Sequence, residues 1–253
     1  MNKLRNLLIL LMVFTFSFGI FQSTVLAKEN EAYGFTQSEI NDLSDDSLID
    51  LIAEKVADDI PLSDIQKEFE KVGVEVSGTE NSNAITRASL SSDVKHTLYC
   101  VHRGGSLPYY LTAQVVAQKP LSTSCGTEDV ISVEWKTKQA SYYSNKPGTN
   151  TTYMDGSQRS KGILLFNLQD VKLTSKGKSA HCSALVKAKK GKKKIVFASR
   201  YVHTYEKNNY SWNIGGNIKY VSTGITGGLT FEVSGKPLEY SWNHYADTVV
   251  SIN

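Results

Sequence analysis

The sequence predicts a mainly β protein, an antiparallel β-sandwich or barrel over residues 93–253, preceded by a short acidic α-helical segment over 28–77. Three observations lead there. Beyond residue 93, short runs rich in Val, Ile, Thr, Tyr and Phe recur, several with the two-residue alternation of a half-buried strand. Glycines punctuate them at Gly104-Gly105, Gly126, Gly191, Gly215-Gly216 and Gly227-Gly228, where sharp reversals need a backbone without Cβ. Before residue 78 the apolar period is helical instead. With 253 residues, 40% apolar and 21% charged, the chain has enough apolar side chains for a core, which excludes the disordered and collagen-like classes.

At the N-terminus, Lys3 and Arg5 precede an apolar stretch from Leu7 to Phe21, and Val25-Leu26-Ala27 follows. This is the layout of a secretory signal peptide over 1–27, cut between Ala27 and Lys28. The apolar stretch is short for the roughly 20 residues of a bilayer span, which disfavours an uncleaved anchor. No cysteine lies just after it, all three being at or beyond position 100, so a lipoprotein is disfavoured too. The expected location is outside the cell or on its wall.

The acidic segment begins with Thr36-Gln37-Ser38-Glu39, a capping box in which the hydroxyl and the carboxylate each serve the other residue's backbone N–H. Leu48, Leu51, Ile52 and Val56 then recur at helical spacing, and a second stripe of Leu62, Ile65, Phe69 and Val72 starts beside Pro61 and stops at Gly73. These stripes are narrow, so the helices should lean on another part of the chain. Residues 78–92 are polar and without pattern, the signature of an exposed linker with a processing site at Arg87-Ala88.

Charge is divided along the chain. Residues 28–87 hold five basic and fifteen acidic side chains, net −10, while 88–253 hold 21 basic and 10 acidic, net +11. Such asymmetry implies two different partners, or two parts that complement one another. One expected partner of the cationic domain is therefore the protein's own acidic segment, 28–87.

Eight or nine strands are expected in the cationic domain, from the runs 94–102, 109–118, 130–137, 162–168, 179–189, 193–205, 210–220, 229–234 and 247–252. Within 193–205, Ile195, Phe197, Tyr201, His203 and Tyr205 share one side, and Val196, Ala198, Arg200 and Val202 the other. Three cysteines in an oxidising compartment leave one unpaired. Cys100 with Cys125 is the expected disulfide, because Cys125 falls in a Ser- and Gly-flanked loop whereas Cys182 falls in a strand-like run.

The densest charge lies at Lys187, Lys189, Lys190, Lys192, Lys193 and Lys194, read as a hairpin around Gly191, with Lys172, Lys176 and Lys178 on the neighbouring turn. Their repulsion implies a counter-charge, since charges within a Debye length of about 8 Å interact. An anionic envelope polymer or lipid surface fits a secreted protein best; nucleic acid would rarely be met. The alternative is a solubilising, edge-guarding role for these lysines. Trp212 and Trp242 stand in a tetrapeptide that occurs twice, Tyr210-Ser211-Trp212-Asn213 and Tyr240-Ser241-Trp242-Asn243, and suggest an aromatic rim able to stack on sugars or settle at a membrane interface. Half-buried strand positions explain the same rings without any ligand.

Catalysis has one weak candidate pair, Cys182 as nucleophile and His203 as base, with Asp170 or Asn243 to orient the imidazole. His181 cannot serve Cys182, because neighbouring strand residues face opposite ways. No serine-hydrolase elbow, Walker loop, dinucleotide fingerprint or zinc-binding His or Cys spacing occurs, so no cofactor, nucleotide or metal is expected. The expected function is a secreted, proteolytically processed cationic β protein that binds an anionic envelope as a bacterial toxin or antimicrobial effector. The alternatives are a secreted hydrolase or peptidase with a propeptide, and a passive cell-surface structural or adhesive module.

Overall fold

The computed structural model describes residues 31–79, 93–121, 129–204, 212–215, 219–221, 224–226, 230–233 and 241–252. A two-residue ribbon, β1 (Glu31–Ala32) with β2 (Phe35–Thr36), leads into α1 (Gln37–Asp42). The capping box forms: Thr36 Oγ1 accepts from the Glu39 N–H at 3.2 Å, and Glu39 Oε2 accepts from the Thr36 N–H at 2.8 Å. Ser44 caps α2 (Asp45–Ala57) through the Ser47 N–H, and α3 (Leu62–Glu70) begins after Pro61.

Ten strands make two five-stranded antiparallel sheets. The first has the order β3 (Glu75–Thr79), β4 (Val94–His102), β5 (Tyr109–Ala117), β10 (Ser179–Ala188), β7 (Ala140–Pro147). The second has the order β16 (Ser241–Ser251), β11 (Lys194–Thr204), β6 (Asp129–Trp135), β9 (Ile163–Leu168), β8 (Thr151–Asp155). Two small ribbons pair β12 (Trp212–Gly215) with β15 (Thr230–Val233) and β13 (Lys219–Val221) with β14 (Gly224–Thr226). The sheets form a sandwich, and among the described residues no barrel closes.

Alternation places the core. Leu98 and Cys100, Leu111 and Ala113, and Cys182 and Ala184 of the first sheet meet Ile131 and Val133, Leu164 and Phe166, and Ile195 and Phe197 of the second. The opposite parity of the first sheet, Tyr99, Val101, Tyr110, Val116 and Leu185, faces the helices and buries Ile40, Leu48, Ile52, Val56, Ile65 and Phe69 in a second core. Polar contacts line this seam. Gln114 donates to the Ala53 carbonyl at 2.7 Å, and Arg103 donates to the carbonyls of Ile40 and Leu43 at 3.0 and 2.7 Å. Asp45 receives the Tyr110 hydroxyl at 2.5 Å and lies 3.0 Å from Arg103; Lys146 pairs with Asp46.

Several sequence expectations need revising. Residues 75–79 are an edge strand of the first sheet, so the segment boundary at 77 falls inside β3. β7 and β8 escape the strand reading because both are polar and partly exposed, carrying Asn, Lys and Thr where a buried strand would carry aliphatics. Cys100 holds a free, buried thiol, so the expected Cys100–Cys125 disulfide is not formed; Cys100 points inward to the sandwich core. Cys125 lies outside the described residues, as do Ala27, Lys28, Arg87 and Ala88.

Candidate functional site

The six lysines do not sit on a hairpin. β10 pairs with β5 and β7, whereas β11 pairs with β16 and β6, so residues 189–193 arch from one sheet to the other at an end of the sandwich. Gly191 turns the chain at φ 74°, a left-handed value that a side chain would disfavour. The arch is fixed by the Lys189 N–H on the Gln139 carbonyl at 2.9 Å and by the Ile252 N–H on the Lys193 carbonyl at 2.9 Å.

Lys187, Lys189, Lys190, Lys192, Lys193 and Lys194 are all exposed. Among the described residues, no carboxylate pairs with any of them. Lys187 Nζ lies 4.4 Å from the ring centre of Tyr143, which is itself 55% exposed. The turn 136–139 adds Lys136 and Lys138 beside the arch, since the Lys136 N–H meets the Val196 carbonyl and Gln139 accepts the Val196 N–H. Lys172, Lys176 and Lys178 belong elsewhere: they precede Ser179, the opposite end of β10, so the expected neighbouring turn is corrected. Lys176 there faces Asp59 of the acidic segment at 3.9 Å.

The far end of the sandwich, about 30 Å along β11 at roughly 3.3 Å per residue, holds a buried polar group. Asp129 opens β6 with the inward parity of Ile131 and Val133; His203 and Tyr201 point inward from β11; Asp170 stands on the short 3-10 turn Asp170–Lys172 after β9. His203 Nδ1 is 2.8 Å from Asp129 Oδ2, and the same oxygen accepts the Tyr201 hydroxyl at 2.5 Å. One ligating atom from each of Asp129, Asp170 and His203 falls within 4.8 Å of the others, a set able to hold a metal ion.

Burial, with the charge of Asp129 second, pushes the Asp170 carboxyl up to about 6. Burial works against a charged His203, yet its bond to Asp129 and the charges of Asp129, Asp170 and Asp93 outweigh that and raise its pKa. Nearby, His96 Nε2 spans the sheets to Ser199 Oγ at 2.9 Å, and burial together with His244 lowers its pKa to about 3.

The Cys182–His203 pair is not assembled. Cys182 is buried in the first sheet's inward face, its thiol makes no hydrogen bond among the described residues, and burial drives its pKa well up, the reverse of what a nucleophile needs. His203 is instead held by Asp129, which the sequence reading missed, with an oxygen of Asp170 within 4.8 Å. An acid at a position sharing parity with Ile131 and Val133 was the available signal. His181 faces away from Cys182, its Nε2 3.1 Å from Asp50 of α2. It lines a cavity of about 190 Å³ with Asp46, Lys146 and Ser183. Trp212 and Trp242 lie in β12 and β16, the latter opposite His203 in register. No protein-family model matches the chain, and no curated protein is detectably similar to it.

Proposed function

We propose that this is a secreted, processed, cationic β protein that binds an anionic cell envelope through the lysine arch. The observation that supports the reading is the concentration of six exposed ammonium groups in residues 187–194 with no carboxylate partner among the described residues. Packed charge of one sign is tolerated where an external anion relieves it. Among the described residues the acidic segment does not relieve it, since its ion pairs with the sandwich run to Lys95, Arg103, Lys146 and Lys176. Tyr143 beneath Lys187 adds an exposed ring with which a sugar or headgroup can make contact. In this reading the protein acts on a competing bacterium as a toxin or antimicrobial effector, and the arch brings it to the surface it injures.

The test is cosedimentation of the full chain with phosphatidylglycerol vesicles and with neutral phosphatidylcholine vesicles. Replacing Lys189, Lys190, Lys192, Lys193 and Lys194 by Gln should weaken binding to the anionic vesicles by roughly a thousandfold or more, at about 1 kcal/mol per lysine. Equal binding to both lipids, or a variant that binds like the parent, would refute the reading.

A further inference from the structure

We propose that the end of the sandwich away from the lysine arch is a binding site for one divalent transition-metal ion, held by Asp129, Asp170 and His203. The three residues come from three separate elements, β6, the 3-10 turn after β9, and β11, so the fold converges them rather than a local sequence motif. Their exposures are 0%, 3% and 2%, and their ligating atoms lie within 4.8 Å of one another. A surface acidic patch has water to screen it; this group does not.

A second observation concerns Asp170 alone. Its carboxylate is served by two backbone donors, the Val171 N–H at 2.8 Å and its own N–H, and no side chain among the described residues donates to it. A carboxylate has about four acceptor positions, and a buried one with only two neutral backbone donors beside a second carboxylate is under-supplied. A cation between the two aspartates and the imidazole would remedy that deficit.

The donor set indicates which cation. One imidazole nitrogen with two carboxylate oxygens suits Zn²⁺ or Mn²⁺. Calcium takes six to eight oxygen ligands, and among the described residues no thiol joins the set, since Cys182 stands on the other sheet. Tyr201, on Asp129 Oδ2, is placed to orient that carboxylate as an outer-shell partner.

The experiment uses the full chain, stripped with a chelator and dialysed, then titrated calorimetrically with ZnCl₂, MnCl₂ and CaCl₂. One saturable equivalent of zinc or manganese per chain is expected, with calcium far weaker. Asp170→Asn keeps the side-chain shape and should weaken that equivalent by at least the roughly 10- to 100-fold that loss of an outer-shell partner costs, while vesicle binding through the arch is unchanged. Retention of vesicle binding separates failure of this site from failure of the proposed function. Should Asp170→Asn not fold, Co²⁺ added to the parent chain decides, through visible absorption bands of a low-symmetry nitrogen and oxygen site. No saturable equivalent, an equivalent that Asp170→Asn leaves intact, or a cobalt spectrum identical to the aqueous ion would overturn the proposal.

Discussion

After a single backbone cut at Arg87, the acidic helices will remain on the sandwich, and they will remain there in about 1 M salt, where the Debye length is only about 3 Å. The charge asymmetry of the sequence suggests that electrostatics holds the two parts together, and ion pairs do cross the seam at Lys95–Asp59, Arg103–Asp45 and Lys146–Asp46. Pairs this exposed contribute about 0.2–1 kcal/mol each and are screened by salt. The apolar contact is of another order. Ile40, Leu48, Ile52, Val56, Ile65 and Phe69 are all at most 1% exposed, and each buried side chain of this kind contributes roughly 1.5–3 kcal/mol. β3 adds a ladder of five register pairs to β4, from Glu75↔His102 to Thr79↔Leu98. Gel filtration of the nicked protein should therefore show both pieces in one peak at low and high salt. Separation by salt alone would mean that charge, and not the second core, holds the segment. It also follows that processing at Arg87 would not by itself free the cationic domain; removal of the segment would uncover Tyr99, Val101, Tyr110, Val116 and Leu185.

The contribution of His96 to stability will be lost steeply as the pH falls below about 6.5, the ordinary histidine value. Fully buried His96 has its pKa lowered to about 3, by burial first and by His244 second. The unfolded chain takes up a proton at this histidine that the native state refuses. Its contribution is therefore complete above pH 6.5 and is lost, at up to about 1.4 kcal/mol per unit, as the pH falls towards 3. His96→Gln keeps a hydrogen-bonding group for Ser199 and removes the titration. Urea unfolding at pH 7 and at pH 4.5 should show a drop larger in the parent than in His96→Gln by about 2–3 kcal/mol. Parallel profiles would show that His96 is not the acid-sensitive group.

Much of this architecture is legible in the sequence, and the failures share a cause. The strand read over 94–102 matches β4, and the capping box at Thr36 forms, because both depend on local spacing and local hydrogen bonds. The inward parity of Ile195, Phe197 and Tyr201 is also observed, since alternation needs no knowledge of the partner strand. Which sheet a strand joins does need it. Hence the lysine loop reads as a hairpin around Gly191, although β10 and β11 belong to different sheets. The buried group was half visible: His203 stood out as an inward polar residue, but its partners come from β6 and from the turn after β9, and only the pairing of β11 with β6 brings Asp129 to it. Cys100 illustrates the same limit. A loop position made Cys125 look available, whereas the Cys100 thiol points into a core where Leu111 and Ala113 also lie.

The central claim is that the arch of Lys187, Lys189, Lys190, Lys192, Lys193 and Lys194 is a receptor for polyanions, and salt is its most direct probe. Binding of the full chain to a soluble phosphate-bearing polymer should fall linearly on a plot of log affinity against log salt. At roughly −0.7 per neutralised phosphate in a flexible strand, six lysines give a slope near −4, and the fivefold Gln variant a slope near −1. A flat line for the parent chain, or a slope unmoved by the five substitutions, would contradict the account.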